Sequence, residues 1–180
     1  MSGKKVWWFG LLMMSWAQTL RVQAALEGSL NGPVEVVIKT GRQVYRLSGR
    51  LEGGNAEWKL PAAPLEPAEV WIQSPGYLPL RYRHPLVGKG PFLLDFTRPE
   101  NLHPHTSYVE KSGKACLAAG ELGSLPDETH PVINAYDVEL FLEAWKRQDK
   151  QADFDQDGAV TEKDYQLLLK NQNQLLSTQL

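Results

Sequence analysis

Asp153-Phe154-Asp155-Gln156-Asp157-Gly158-Ala159-Val160-Thr161-Glu162-Lys163-Asp164 is the stretch that decides how this chain reads. Carboxylates stand at positions 1, 3, 5 and 12 of the twelve, glycine stands at 6 and an aliphatic residue at 8. A hard cation such as calcium takes six to eight oxygen ligands at about 2.3–2.6 Å, and this spacing supplies them. Asp153, Asp155 and Asp157 alternate, so their side chains can turn to one side. Gly158 permits the sharp bend between them, where a Cβ would strain the backbone. Ala159 offers a backbone carbonyl, Thr161 ligates directly or through water, and Asp164 closes the site. Val160 enters the core or pairs with a second loop. The expected cofactor is Ca2+. Position 12 is Asp where such loops usually carry Glu, so the closing carboxylate has a shorter reach.

Upstream stands a second copy. Val160-Thr-Glu-Lys-Asp164-Tyr-Gln-Leu167-Leu168-Leu169 aligns with Ile133-Asn-Ala-Tyr-Asp137-Val-Glu-Leu140-Phe141-Leu142 at an offset of 27 residues. Each copy reads as a loop followed by a helix. The first helix is expected from about Asn134 to Arg147, with Asn134 as N-cap and Asp137 at N3. Val138, Phe141, Leu142 and Trp145 fall on one helical stripe. The second helix is expected from about Thr161 to Asn171. No helix enters either loop; Gly120 to Pro126 reads as coil.

Two loop–helix repeats that each close on Asp, without entering helices, resemble the dockerin family of EF-hand-type modules. The resemblance covers about Gly120 to Gln174. It implies a small calcium-folded helical module that docks onto a cohesin domain of another protein. It also implies recognition residues at loop positions 10 and 11, here Ala135 and Tyr136 in the first copy and Glu162 and Lys163 in the second. The pairs differ, so two-way symmetric docking is not expected. In ungapped register the first loop carries Pro126, Glu128 and His130 where the family has acidic or amide ligands, and Pro131 replaces the glycine. A gapped first loop offers Glu121, Asp127 or Glu128. One good calcium site is therefore expected, with a weak second site at Glu128 and Asp137 as the alternative.

The N-terminus has the form of a secretory signal. Lys4 and Lys5 precede an apolar run from Val6 to Met14, too short to cross a bilayer, which takes about 20 residues. Small residues at Ser15 and Ala17 suit cleavage after Ala17; Val22-Gln-Ala24 is a second candidate site. Cleavage after Ala17 is preferred, because Thr19 to Leu26 alternates and reads as a first strand. A retained anchor or a buried strand is the alternative. The mature chain is expected to carry no membrane span and to act outside the cell or at its surface.

Between Gln18 and Ala119, twelve Lys and Arg face nine Asp and Glu, a net of +3. From Gly120 onward the count is five against twelve, a net of −7. An acidic half without dense aromatics suits calcium and argues against nucleic acid. The single cysteine, Cys116, excludes an intrachain disulfide and reads as a small buried hydrophobe or a thiol free to pair with another chain.

Before Asn134 the chain shows short runs at intervals of about ten residues, bounded by turn residues. They are Leu20–Leu26, Val34–Lys39, Gln43–Leu51, Ala56–Leu60, Glu69–Gln73, Leu80–Arg83 and Phe92–Phe96. This spacing favours an antiparallel β-sandwich. Glu69-Val-Trp-Ile-Gln-Ser-Pro-Gly76-Tyr77-Leu78 is similar to the immunoglobulin-like, carboxypeptidase-regulatory type of module, in which a strand ends in a Gly-Tyr turn. The expected organisation is α+β in two modules: a signal peptide over 1–17, an immunoglobulin-like sandwich over 18–112, and a dockerin-like EF-hand pair over 113–176. No Gly/Ser-rich or Pro-rich linker separates the modules, so they are expected to share an interface, with Phe141 and Trp145 offering apolar surface.

No nucleophile elbow, zinc-protease motif or phosphate-cradling glycine loop is present, and catalysis is not expected. His103-Pro-His105 lacks a third ligand nearby and reads as a polar loop. Glu57 and Asp95 are the candidate carboxylate pair for glycosidic chemistry, which needs two acids about 5–10 Å apart. Trp58, Trp71, Tyr77 and Tyr82 are candidates for a sugar-stacking platform, with Trp71 expected in the core or against the second module. The leading expectation is a non-enzymatic adaptor docking a cohesin-like partner. The rival is a carbohydrate-binding sandwich with a structural calcium site and a polysaccharide as ligand.

Overall fold

A computed structural model describes residues 18–60, 64, 66–123 and 132–177, with the backbone alone for 173–177. The expected signal peptide and Glu128 lie outside the described residues. In chain order the strands are β1 (Gln18–Gln23), β2 (Gly32–Lys39), β3 (Val44–Leu51), β4 (Asn55–Leu60), β5 (Glu69–Gln73), β6 (Gly76–Tyr77), β7 (Leu80–Arg81), β8 (Phe92–Asp95), β9 (Val109–Lys111), β10 (Lys114–Cys116) and β11 (Ala119–Glu121). The helices are α1 (Ala135–Arg147) and α2 (Glu162–Ser177). The class is α+β: sheets first, helices last.

Alternation builds the two main sheets. One runs β4-β1-β8 and the other β3-β2-β5-β7. Successive residues of a strand point to opposite faces. In β1 that turns Leu20 and Val22 inward, and in the second sheet it buries Val34, Val36, Ile38, Val70 and Ile72. These residues share one apolar cluster between the sheets. The sandwich is not wholly antiparallel: β8 lies parallel to β1, with Leu20 opposite Phe92 and Val22 opposite Leu94. Alternation within a strand carries no information about the direction of its neighbour.

The sandwich also runs past the boundary expected at residue 112. The Ala115 N–H bonds the Thr97 carbonyl at 2.7 Å and the Leu117 N–H bonds the Ala25 carbonyl at 2.9 Å. Strand β11 pairs with β6. The segment after Arg98 is thus strand and packed connector, and Cys116 is buried within it. Trp71 departs from expectation as well. Its neighbours Val70 and Ile72 take the core, so Trp71 faces outward from β5, where the Arg81 guanidinium lies 5.5 Å from its ring.

The apolar cluster continues without a break into the second half. Ile133, Phe141, Phe154, Val160 and Leu168 belong to it together with the sandwich residues. Helix α1 starts where the sequence places it: Asn134 caps it, and the Asp137 side chain returns to the Asn134 N–H. Helix α2 extends beyond Asn171 to Ser177. A buried polar contact fastens α2 to the sandwich. Glu27, 2% exposed, accepts from the Ala119 N–H at 3.3 Å, from Lys170 Nζ at 3.0 Å and from the Asn171 amide.

Glu27→Ala removes one acceptor from two buried donors, the Ala119 N–H and the Asn171 amide. The expected cost is about 2–3 kcal/mol, which lowers Tm by ~5–10 °C in a chain of this length. Calorimetry should show one transition shifting as a whole. A sandwich that keeps the wild-type melting temperature while the helices melt earlier would contradict the shared core.

Candidate metal centre

Carboxylates at alternating positions bring the metal candidates together. Ligand oxygens of Asp153, Asp155 and Asp164 all lie within 4.8 Å of one another. Among the described residues this is the group of acidic side chains placed to hold an ion. Gly158, at φ +102°, makes the bend that returns the chain, and its N–H donates to Asp153 Oδ2 at 3.0 Å. Asp157 stands apart from the three. Its Oδ1 accepts the Ala159 N–H at 3.1 Å, and its Oδ2 lies 3.5 Å from Lys163 Nζ. Thr161 Oγ1 lies 3.2 Å from Asp164 Oδ2 and accepts the Lys163 N–H at 3.3 Å. Ala159 is exposed on the outer turn. The structure therefore gathers three of the four expected acidic ligands, while Asp157 lies outside that group and Thr161 bonds within the loop.

The donor set fits a hard cation. All three candidate ligands are carboxylates, and Asp153 Oδ1 is buried without a hydrogen-bond partner. Burial pushes the Asp153 carboxyl above its ordinary 3.8, the Gly158 N–H opposes this, and Asp164, Asp155 and Asp157 add to the rise. A raised folded-state value means that ionisation opposes the fold. The cost is absent below the ordinary value and grows as pH rises through the raised one. The visible counter-charge is Lys163, largely solvent-exposed and 3.8 Å from Asp155, where screening leaves it little strength.

Asp164 is fully buried and organises the loop. Its Oδ1 accepts the N–H groups of Phe154 at 2.7 Å and Asp155 at 3.1 Å, and its Oδ2 accepts the Thr161 N–H at 2.8 Å. Asp137 repeats the pattern. Its Oδ1 accepts from Leu122 at 2.8 Å and Gly123 at 3.3 Å, and its Oδ2 from Asn134 at 2.8 Å. This equivalence places Glu121 in the first copy where Asp153 stands in the second, on a longer loop. The offset of 27 residues seen at the helices does not hold at the loop start, which is why ungapped alignment pointed to Glu128.

Gln148 belongs to no motif in the sequence, yet it holds the loop to α1. It ends α1 in the left-handed region at φ +52°. Its side-chain amide then accepts the Val160 N–H at 3.1 Å and donates to the Val160 carbonyl at 3.0 Å. Of the two expectations for Val160 the core holds: its side chain is buried in the shared cluster, and its backbone N–H and carbonyl both bond Gln148. The only sequence cue is a helix end without glycine.

Of the docking candidates, Ala135, Tyr136, Glu162 and Lys163 are all exposed at the starts of α1 and α2. The sugar-platform candidates do not share a face. Tyr77 is buried, Trp58 packs on Gly49 with its indole N–H on the Ser48 carbonyl, and Tyr82 packs edge-on to Phe96. Glu57 bonds Arg21 at 2.8 Å, and Asp95 bonds Thr97 and pairs with Arg98. The Arg21 hydrogen bond holds the Glu57 carboxyl below its ordinary range, which does not suit a general acid.

No protein-family model matches this chain, and no curated protein does. Two solved structures are similar to it: the C-terminal interface mutant and the N-terminal interface mutant of a type II cohesin–X–dockerin complex from Acetivibrio cellulolyticus. Each is 14% identical with a TM-score of 0.50, over 86% of this chain and 94% of the matched chain. At that identity the likeness is one of fold alone.

Proposed function

We propose that this chain is an exported, non-enzymatic calcium-binding adaptor. In this reading its helical pair docks onto a cohesin-like partner within a polysaccharide-degrading or cell-surface assembly. The observation that carries it is the group of Asp153, Asp155 and Asp164 on a loop that leads straight into α2. The recurrence of the Asp164 arrangement at Asp137 supports the paired-repeat form. The structural likeness adds weight, because 86% of a 180-residue chain extends well beyond a sandwich ending at Glu121. Export rests on the charged and apolar N-terminal segment.

Asp153, Asp155 and Asp164 would hold the ion, which supplies the positive charge that the crowded carboxylates lack. The chain's own residues do the rest. Asp164 ties the loop start to the first turn of α2, and Gln148 ties the loop's middle to α1. Binding an ion to the folded loop alone stabilises that arrangement by mass action. The exposed Ala135, Tyr136, Glu162 and Lys163 then stand on fixed helix ends for a partner to read.

Asp153→Asn separates charge from ligation. It keeps an acceptor for the Gly158 N–H and removes a repelling charge. Without calcium the variant should melt ~2–4 °C higher than wild type, the shift that about 1 kcal/mol makes at this length. With calcium it should melt lower. The same sign in both conditions would refute the site. Docking is tested with a cohesin domain immobilised for capture of the full chain. Capture should occur with calcium and fail with chelator, and Tyr136→Ala should weaken it about tenfold or more, as a central aromatic contact does. Calcium-independent capture, or none by any cohesin of the same organism, would overturn the docking reading.

A further inference from the structure

Alternation gives the cation loop a back as well as a front. Asp153 and Asp155 gather with Asp164, while Phe154 and Gln156 turn toward the sandwich. Phe154 is fully buried, with its ring 6.1 Å from Tyr77 and 5.8 Å from Phe141. The sandwich meets this back through glycines. A Cβ on Gly76 would sit 2.3 Å from the Gln151 carbonyl, and one on Gly28 would sit 3.1 Å from the Asp155 Cα. Both have positive φ, which alone asks for glycine. Gly32 lies in β2 without it, and there a Cβ would sit 2.4 Å from the Gln156 amide. The Gln156 side chain from the loop and Leu26 from the sandwich, 2.6 Å from the same point, both crowd that position.

One hydrogen bond crosses the contact at its centre. The Tyr77 hydroxyl donates to the Phe154 carbonyl and also meets the Gln156 side chain. The Phe154 carbonyl belongs to the same peptide unit as the Asp155 N–H, and that N–H bonds Asp164 Oδ1 at 3.1 Å. A peptide unit is planar and stiff. Gripping its oxygen fixes the direction of its N–H, and with it where Asp164 stands relative to Asp155.

We propose that Tyr77 is a positioning residue for the cation loop, and that the sandwich sets calcium affinity through it. This rests on the calcium reading above and says where part of the affinity arises. Three carboxylates this close repel when no ion is present. A loop free to spread is competent only part of the time, and its apparent affinity falls by that fraction. The Tyr77 hydroxyl holds the loop in the arrangement the ion needs.

Tyr77→Phe in the full chain keeps the ring packing and removes the donor alone. Calcium is titrated at 20 °C by calorimetry and by terbium luminescence, after circular dichroism confirms that the variant is folded. The calcium Kd should rise about three- to tenfold, the range one hydrogen bond supplies. A merely structural tyrosine would lower Tm equally with and without calcium and leave Kd unchanged, and that result overturns the proposal. Should Tyr77→Phe not fold, Gln156→Gly suits the local φ of +57° and removes the loop's other grip on Tyr77. It should raise Kd about two- to fivefold, and an unchanged Kd again overturns the proposal. Wild-type protein that binds neither calcium nor terbium fails the calcium reading itself, which distinguishes the two failures.

Discussion

The Asp164 carboxylate is the point at which loop and helix become one object. One oxygen collects two N–H groups from the loop start, and the other collects the N–H that precedes α2. The side chain is buried, so these bonds form away from water, where each is worth more and its loss costs more. Asp at position 12 thus serves its own helix start as well as the loop. Asp137 shows the same pattern at α1, so the second half uses one device twice.

That device has an electrostatic cost. Gathering Asp155 and Asp164 around Asp153 raises the Asp153 carboxyl, on top of the burial that already does so. Two features work against the spreading this favours. Gln148 clips Val160 from the α1 side, and the sandwich presses glycines and Tyr77 against the loop's back. The Glu27 contact with Lys170 and Asn171 anchors the middle of α2. A module of this size would bury little core alone. Sharing Phe154, Leu168 and Ile133 with the sandwich lets it fold as part of a larger cluster.

Local pattern was legible in the sequence and non-local pairing was not. Strand β5 falls on Glu69–Gln73 as read, because turn residues bound an apolar run on both sides. The start of α1 follows from Asn134 and Asp137, which are neighbours in sequence. Which strand lies beside β1, and in which direction, depends on residues far along the chain. Tyr77 reads in the sequence as part of a Gly-Tyr turn and a candidate for sugar stacking; its contact with the loop appears only when Phe154 arrives against it. The first loop misled for a related reason. Its helix keeps the repeat offset while its start does not, so Glu121 takes the place that alignment gave to other residues. The acidic loop itself was plain, though the structure leaves Asp157 to its own turn and to Lys163.

Stoichiometry tests the account most directly. Calorimetric titration of calcium into chelator-treated full chain should give one tight site per chain, abolished when Asp153 and Asp164 are both changed to Ala. Two sites of equal affinity, or tight binding that survives the double substitution, would contradict it.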